Sequence, residues 1–370
     1  MPRARAIALG TPCAVLGGTM RLACTLVLVT GCGLSSGDEP SLDLYTRDCI
    51  RTMDRGPTLP NGPIALVLTS ACSDASMVDN VQWYEGKLQS VTSHTAYGAK
   101  YRATRIANLD GQYSVETIGI VDSAPSYVAW FGVTMAHPMR VNYMQDFDDL
   151  TVADLDRDTK GEIIVAGGNA LRVSSVPSTE PAPVIAASDE RTLVSGKAFK
   201  NVAASAKNEL FYLAQPLGSQ TVEIGVARAS GADPYAFTAT ALSQDSAGAR
   251  SLTIADVDGD GIADAIGTAA RIFVVSSRTG TVNFLDEAAL AISTGDTDAD
   301  GIDEPVFLAA DGASVRRIQI AADGSLTSEH LLDVHAQAMT VGDFDGNGIA
   351  DIATLDKIGR TGATVSLYRY

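Results

Sequence analysis

Three stretches of this 370-residue chain space oxygen-bearing side chains as a hard cation requires. In Asp256-Val-Asp258-Gly-Asp260-Gly261-Ile262-Ala-Asp264, carboxylates occupy positions 1, 3, 5 and 9, with glycine at 6. The pattern returns as Asp296, Asp298, Asp300, Gly301 and Glu304, and again as Asp343, Asp345, Asn347, Gly348 and Asp351. Glycine at position 6 permits a turn that a Cβ would hinder, so the alternating side chains converge on one point. Calcium takes about six to eight oxygens, and these loops predict three calcium sites. The position-7 residues Ile262, Ile302 and Ile349 would each add a backbone carbonyl and bury a side chain. A fourth copy, Asp154, Asp156, Asp158 and Glu162, has Thr159 in place of the glycine, which predicts a weak site or none. Asn108 and Asp110 supply too few carboxylates for a fifth.

An EF-hand shares the first half of this pattern but needs a bidentate glutamate at position 12 and helices on both sides. Position 12 here is Gly267, Phe307 or Thr354, and the flanks are β-favouring runs such as Asp264-Ala-Ile-Gly-Thr and Asp351-Ile-Ala-Thr-Leu. The loops must therefore join strands. Their first aspartates fall at 154, 256, 296 and 343, so the two complete spacings are 40 and 47, and the gap of 102 is two periods. Worn copies fill the register: Val202-Ala-Ala-Ser-Ala-Lys-Asn-Glu-Leu-Phe inside the gap, and Arg105-Ile-Ala-Asn-Leu-Asp-Gly-Gln before residue 154. Residues 42 to 370 hold seven such periods. Repeats of this length with little helical periodicity predict an all-β fold, a seven-bladed β-propeller whose radial repetition leaves only short sheet edges; solenoid coils are shorter. Pro63-Ile-Ala-Leu-Val-Leu-Thr reads as a strand of the first unit, without an acidic loop beside it.

From about residue 100 to 370 the repeat resembles the FG-GAP or VCBS repeats, the calcium-loop blades of integrin α-subunit propellers and many bacterial surface proteins. The Phe-Gly pair occurs once, as Phe131-Gly132, so the blade ends depart from the integrin pattern. The resemblance implies calcium that pins strand connections. Scaffold sites repeat, whereas ligand sites are usually singular.

At the N-terminus Arg3, Arg5 and Arg21 precede the apolar run Leu22 to Val29, which is too short to span a bilayer and reads as a secretory signal starting at Met1 or Met20. Val29-Thr30-Gly31-Cys32 resembles the lipobox of bacterial lipoproteins, which implies acylation of Cys32, an anchor in the cell envelope and, with Gly33 following, sorting to the outer membrane. The resulting organisation is a signal over 1–31, a tether over 32–60 and a propeller over 61–370. Cys13 and Cys24 leave with the signal, and the remaining pair, Cys49 and Cys72, is expected to form a disulfide in an oxidising compartment. Gly33-Leu-Ser35-Ser-Gly37 matches a hydrolase elbow, but it lacks the strand and helix that motif needs and reads as part of the tether.

The chain carries 44 acidic and 27 basic residues, a formal charge of −17, and losing the three signal arginines takes it to −20. That sign excludes nucleic acid as the main partner. The four histidines, His94, His137, His330 and His335, have no zinc-helix spacing, and the aromatics Trp83, Tyr84, Tyr127, Trp130 and Phe131 read as blade packing. Two functions remain: an envelope-anchored module that binds a protein or carbohydrate, and a secreted hydrolase or lyase acting on polysaccharide or ester with its site at the propeller mouth.

Overall fold

The computed structural model describes residues 41–48, 50–57, 64–72, 75–84, 87–97, 101–109, 116–122, 127–131, 139–142, 146–174, 184–185, 190–243, 249–321, 323–358 and 362–370. Cys32, Cys49, His137 and the Gly33–Gly37 stretch lie outside these residues, as do the side chains of Cys72 and His94, and with them the lipidation and disulfide expectations.

Among the described residues there is no helix, and the strands form seven sheets. The outermost strand of the last sheet is β1 (Ser41–Asp48). The first sheet then runs β2 (Ile50–Pro57), β3 (Ile64–Cys72), β4 (Ala75–Tyr84) and β5 (Lys87–Tyr97). The second has β6 (Tyr101–Ala107), β7 (Glu116–Val121), β8 (Tyr127–Phe131) and β9 (Met139–Asn142). The third has β10 (Asp149–Ala153), β11 (Glu162–Gly167) and β12 (Ala170–Ser174). Next in the chain, β13 (Val184–Ile185) adds in parallel to β9, and β14 (Arg191–Ser195) completes the third sheet. The fourth is β15 (Lys197–Ala204), β16 (Leu210–Pro216), β17 (Glu223–Ala229) and β18 (Phe237–Ser243). The fifth is β19 (Ser251–Ala255), β20 (Asp264–Thr268), β21 (Ile272–Val275) and β22 (Val282–Leu285). The sixth is β23 (Ala289–Gly295), β24 (Glu304–Ala309), β25 (Ser314–Ile320) and β26 (Leu326–Asp333). The last is β27 (Ala336–Gly342), β28 (Asp351–Ile358) and β29 (Gly362–Arg369), with β1 on its edge.

The first strands of the sheets, β2, β6, β10, β15, β19, β23 and β27, touch one another in turn, and β27 returns to β2. This closed ring of sheets, antiparallel except for the β13–β9 pairing, is a β-propeller. Core clusters fill the gaps between neighbouring sheets: Leu66 and Leu68 of the first sheet pack on Leu355, Val365 and Leu367 of the last, and Ile164 and Leu171 of the third on Phe199 and Tyr212 of the fourth. A second strand such as β11 has a neighbouring sheet on both faces, so it is buried along its whole length and reads as an unbroken apolar run. That is why the runs after the acidic loops do not alternate. Charged groups also join the first strands. Arg105 pairs with Asp54 and with Asp149 (3.3 Å), whose other oxygen accepts the Val202 N–H at 3.2 Å.

One boundary differs from the sequence reading. Residues 41–57, expected as tether, form β1 and β2, and β1 pairs with β29 from Ser41↔Arg369 to Asp48↔Gly362. The start of the propeller thus completes its last sheet. Zippering one end of the chain onto the other pairs the edge of β29, which a free tether would leave open, and makes β1 the outer strand of the sheet.

Candidate metal centres

Every acidic loop joins the first strand of its sheet to the second, all at the same end. The last residue of the first strand pairs with loop position 9: Ala153↔Glu162, Ala255↔Asp264, Gly295↔Glu304 and Gly342↔Asp351. Ala107↔Glu116 repeats this in the worn second sheet, whereas the fourth sheet closes more tightly, with Ala204↔Leu210.

Within a loop the position-1 carboxylate collects backbone N–H groups. Asp343 Oδ1 accepts from Asn347 (3.0 Å) and Oδ2 from Gly348 (2.9 Å); Asp296 takes Asp300 and Gly301, and Asp154 takes Asp158 and Thr159. The position-5 side chain accepts the N–H of position 7, as in Asp260 with Ile262 (2.8 Å), Asp300 with Ile302 and Asn347 with Ile349. Positions 4 and 6 are left-handed: Gly259 and Gly261, Ala299 and Gly301, Gly346 and Gly348. In the fourth copy Arg157 and Thr159 are forced into the same conformation, with φ of 65° and 76°. A β-branched residue held there carries strain on the order of 1–3 kcal/mol. Thr159→Gly should therefore raise stability by about 1 kcal/mol in a denaturant titration, and unchanged or reduced stability would show that the turn is unstrained.

Four groups of carboxylate oxygens lie within 4.8 Å of one another: Asp296, Asp298, Asp300 and Glu304; Asp154, Asp156 and Glu162; Asp256, Asp258 and Asp260; Asp343, Asp345 and Asp351. Two sequence-assigned carboxylates stand outside these groups. Asp264 turns one oxygen to the Ser277 N–H (3.0 Å), and Asp158 accepts from Lys160 N–H at 2.9 Å with the Lys160 ammonium 4.0 Å away. The side chains of Ile262, Ile302 and Ile349 are half-buried rather than enclosed.

Position 9 has a second duty that the ligand pattern alone does not express. Its carboxylate accepts the N–H of position 2: Leu155 to Glu162 (2.7 Å), Thr297 to Glu304 (2.8 Å), Phe344 to Asp351 (3.0 Å) and Leu109 to Glu116 (2.8 Å). Glu116 is a buried loop residue that the sequence reading missed. Its signal was the spacing from Asn108, the same as from Asp154 to Glu162.

The loops also hold one another. Gly161 N–H donates to Asn108 O (2.8 Å), and Ala350 N–H donates to Asp296 O (2.7 Å). Asn208 and Lys207, in the short turn of the fourth sheet, donate to Asp154 O and Gly261 O on either side. A Cβ on Gly259 would stand 3.1 Å from Ile302 Cδ1.

Oxygen is the only donor element in these groups, which suits a hard cation. Asp256 Oδ1 is buried and has no hydrogen-bond partner, a state that costs about 1–3 kcal/mol and that a cation would relieve. The donor set therefore fits a hard cation. Burial, aided by the Asp345 charge, pushes Asp351 up to about 7; burial and the neighbouring aspartates push Glu162 to about 7 and Asp264 to about 6, and burial also raises Glu304. A carboxyl whose folded pKa is raised stabilises the fold below its unfolded value, and that contribution is lost as pH rises through the folded one. The cation-free protein should thus melt at progressively lower temperature as pH rises from about 5 to 8. A flat profile in chelator would show that these carboxyls ionise freely.

Elsewhere His330 and His335 are exposed, and His330 pairs with Asp333 at 2.9 Å, as a surface histidine does. The chain matches no protein family and no curated protein.

Proposed function

We propose that this chain is a calcium-stabilised propeller of seven FG-GAP/VCBS-type blades, anchored to the cell envelope through a lipidated Cys32, that acts as a surface module binding a protein or carbohydrate partner. The observation that carries this reading is the repetition of one loop architecture, with gathered carboxylates, at the same end of four sheets. Cations held at equivalent points in four of the sheets act on the scaffold, which leaves the faces and rim of the ring free for recognition. The lipobox and the acidic charge support display on an envelope surface.

The test is affinity capture from solubilised envelope with the lipidated chain as bait, in millimolar calcium and in chelator, alongside Cys32→Ser. A defined envelope component should be retained with calcium and released by chelator, and Cys32→Ser should leave the membrane fraction. Capture of nothing beyond background in calcium would sink the binding role. Unchanged membrane partitioning of Cys32→Ser would sink the anchor.

A further inference from the structure

A cationic side chain of the chain itself leans on the 296 loop. Arg317, on β25 and only 15% exposed, divides its guanidinium between the loop and a second acceptor. Nη1 donates to Asp298 Oδ2 at 2.6 Å and Thr297 Oγ1 at 3.3 Å, and lies 3.9 Å from Glu304 Oε2. Nε and Nη2 donate to Glu329 Oε2 at 3.2 and 2.7 Å, an oxygen that also accepts from Gln319 Nε2 at 2.9 Å. Asp298 and Glu304 are two of the four carboxylates gathered in this loop, so the guanidinium engages oxygens that an entering cation needs. The other loops meet this competition in graded form. Arg369 reaches Asp345 at 3.2 Å, Arg278 reaches Asp260 at 3.4 Å from a side chain that is 67% exposed, and the 154 loop has the neutral Tyr235 hydroxyl on Asp156 at 3.1 Å.

We propose that Arg317 is a resident competitor that sets the divalent-cation affinity of the 296 loop, with Glu329 as the acceptor that keeps the guanidinium when the cation enters. The inference rests on the reading that these loops hold calcium. Cation entry would strip Nη1 from Asp298 while the Nε and Nη2 bonds to Glu329 persist, so the arginine needs only a small swing and remains paired. Charge count tunes calcium sites of this kind, and a unit charge a few ångströms from a divalent ion shifts its affinity by about tenfold under moderate screening.

Calorimetric calcium titration of the full chain tests this, with Asp298→Ala identifying the step that belongs to the 296 loop. Arg317→Gln should tighten that step by about tenfold. Glu329→Gln keeps the arginine but removes its second partner, and should weaken the same step. Opposite signs from two halves of one ion pair are what competition requires, and a purely structural pair would weaken binding in both variants. If both variants weaken the step, or neither moves it while Asp298→Ala abolishes it, the competitor role is overturned and the calcium reading stands. If the unaltered chain takes up no calcium, the calcium reading falls, and this inference with it.

Discussion

Removing divalent cations should lower the melting temperature of this propeller by more than about 10 °C, and millimolar calcium should restore it. Each loop gathers three or four carboxylates within 4.8 Å, and two unit charges about 4 Å apart repel by roughly 1 kcal/mol in water and nearer 4 at an effective dielectric of 20. Extracellular calcium modules bind at about 10⁻⁴ to 10⁻³ M, and a site at 100 times its dissociation constant adds about 2.7 kcal/mol to folding. The loops do not open independently, because hydrogen bonds tie the 343 loop to the 296 loop and the 154 loop to its neighbours on both sides. Cations bound in several loops would therefore act on one cooperative unit. Asp258→Ala should remove roughly one site's share of the shift and leave the others. Superimposable melts in chelator and in calcium would reduce the loops to acidic turns and remove the main support for the repeat assignment.

Gly167→Ala should be severely damaging, costing about 3 kcal/mol or more. Gly167 ends β11, and a Cβ there would stand 2.2 Å from Phe147 Cα and 2.6 Å from Asp146 O. Both are backbone atoms, so no rotamer change relieves the clash; the segment before β10 would have to move away from the third sheet. Gly218 is the control. It has a φ of 80° with nothing within 4 Å of a Cβ, so alanine there meets only the left-handed backbone preference, worth about 1 kcal/mol. Equal losses at both positions in chemical denaturation would show that the approach of Phe147 to β11 is not tight.

The acidic loops were legible because their determinants are local. Asp256, Asp258, Asp260 and Gly261 lie within one turn of chain, and the positive φ at Gly261 follows from a turn that only a residue without Cβ adopts freely. The period was legible because each repeat must build the same first strand, loop and buried second strand. Local pattern also misled. Residues 41–57 carry the polar, proline-bounded look of a tether but pair as strands.

By itself, then, the sequence determined the all-β class, the repeat and the loops in which carboxylates converge, since all of these depend on residues within reach of a single hairpin. Only the tertiary structure decided that β1 closes the last sheet against β29, that Glu116 closes a loop without a full ligand set, and that Arg317 leans on the 296 loop from β25. The physical reason is reach. Side-chain spacing encodes contacts along one hairpin, whereas the closing of a ring and the neighbour that a charge meets are set by how separate sheets pack, and no period in the chain records that.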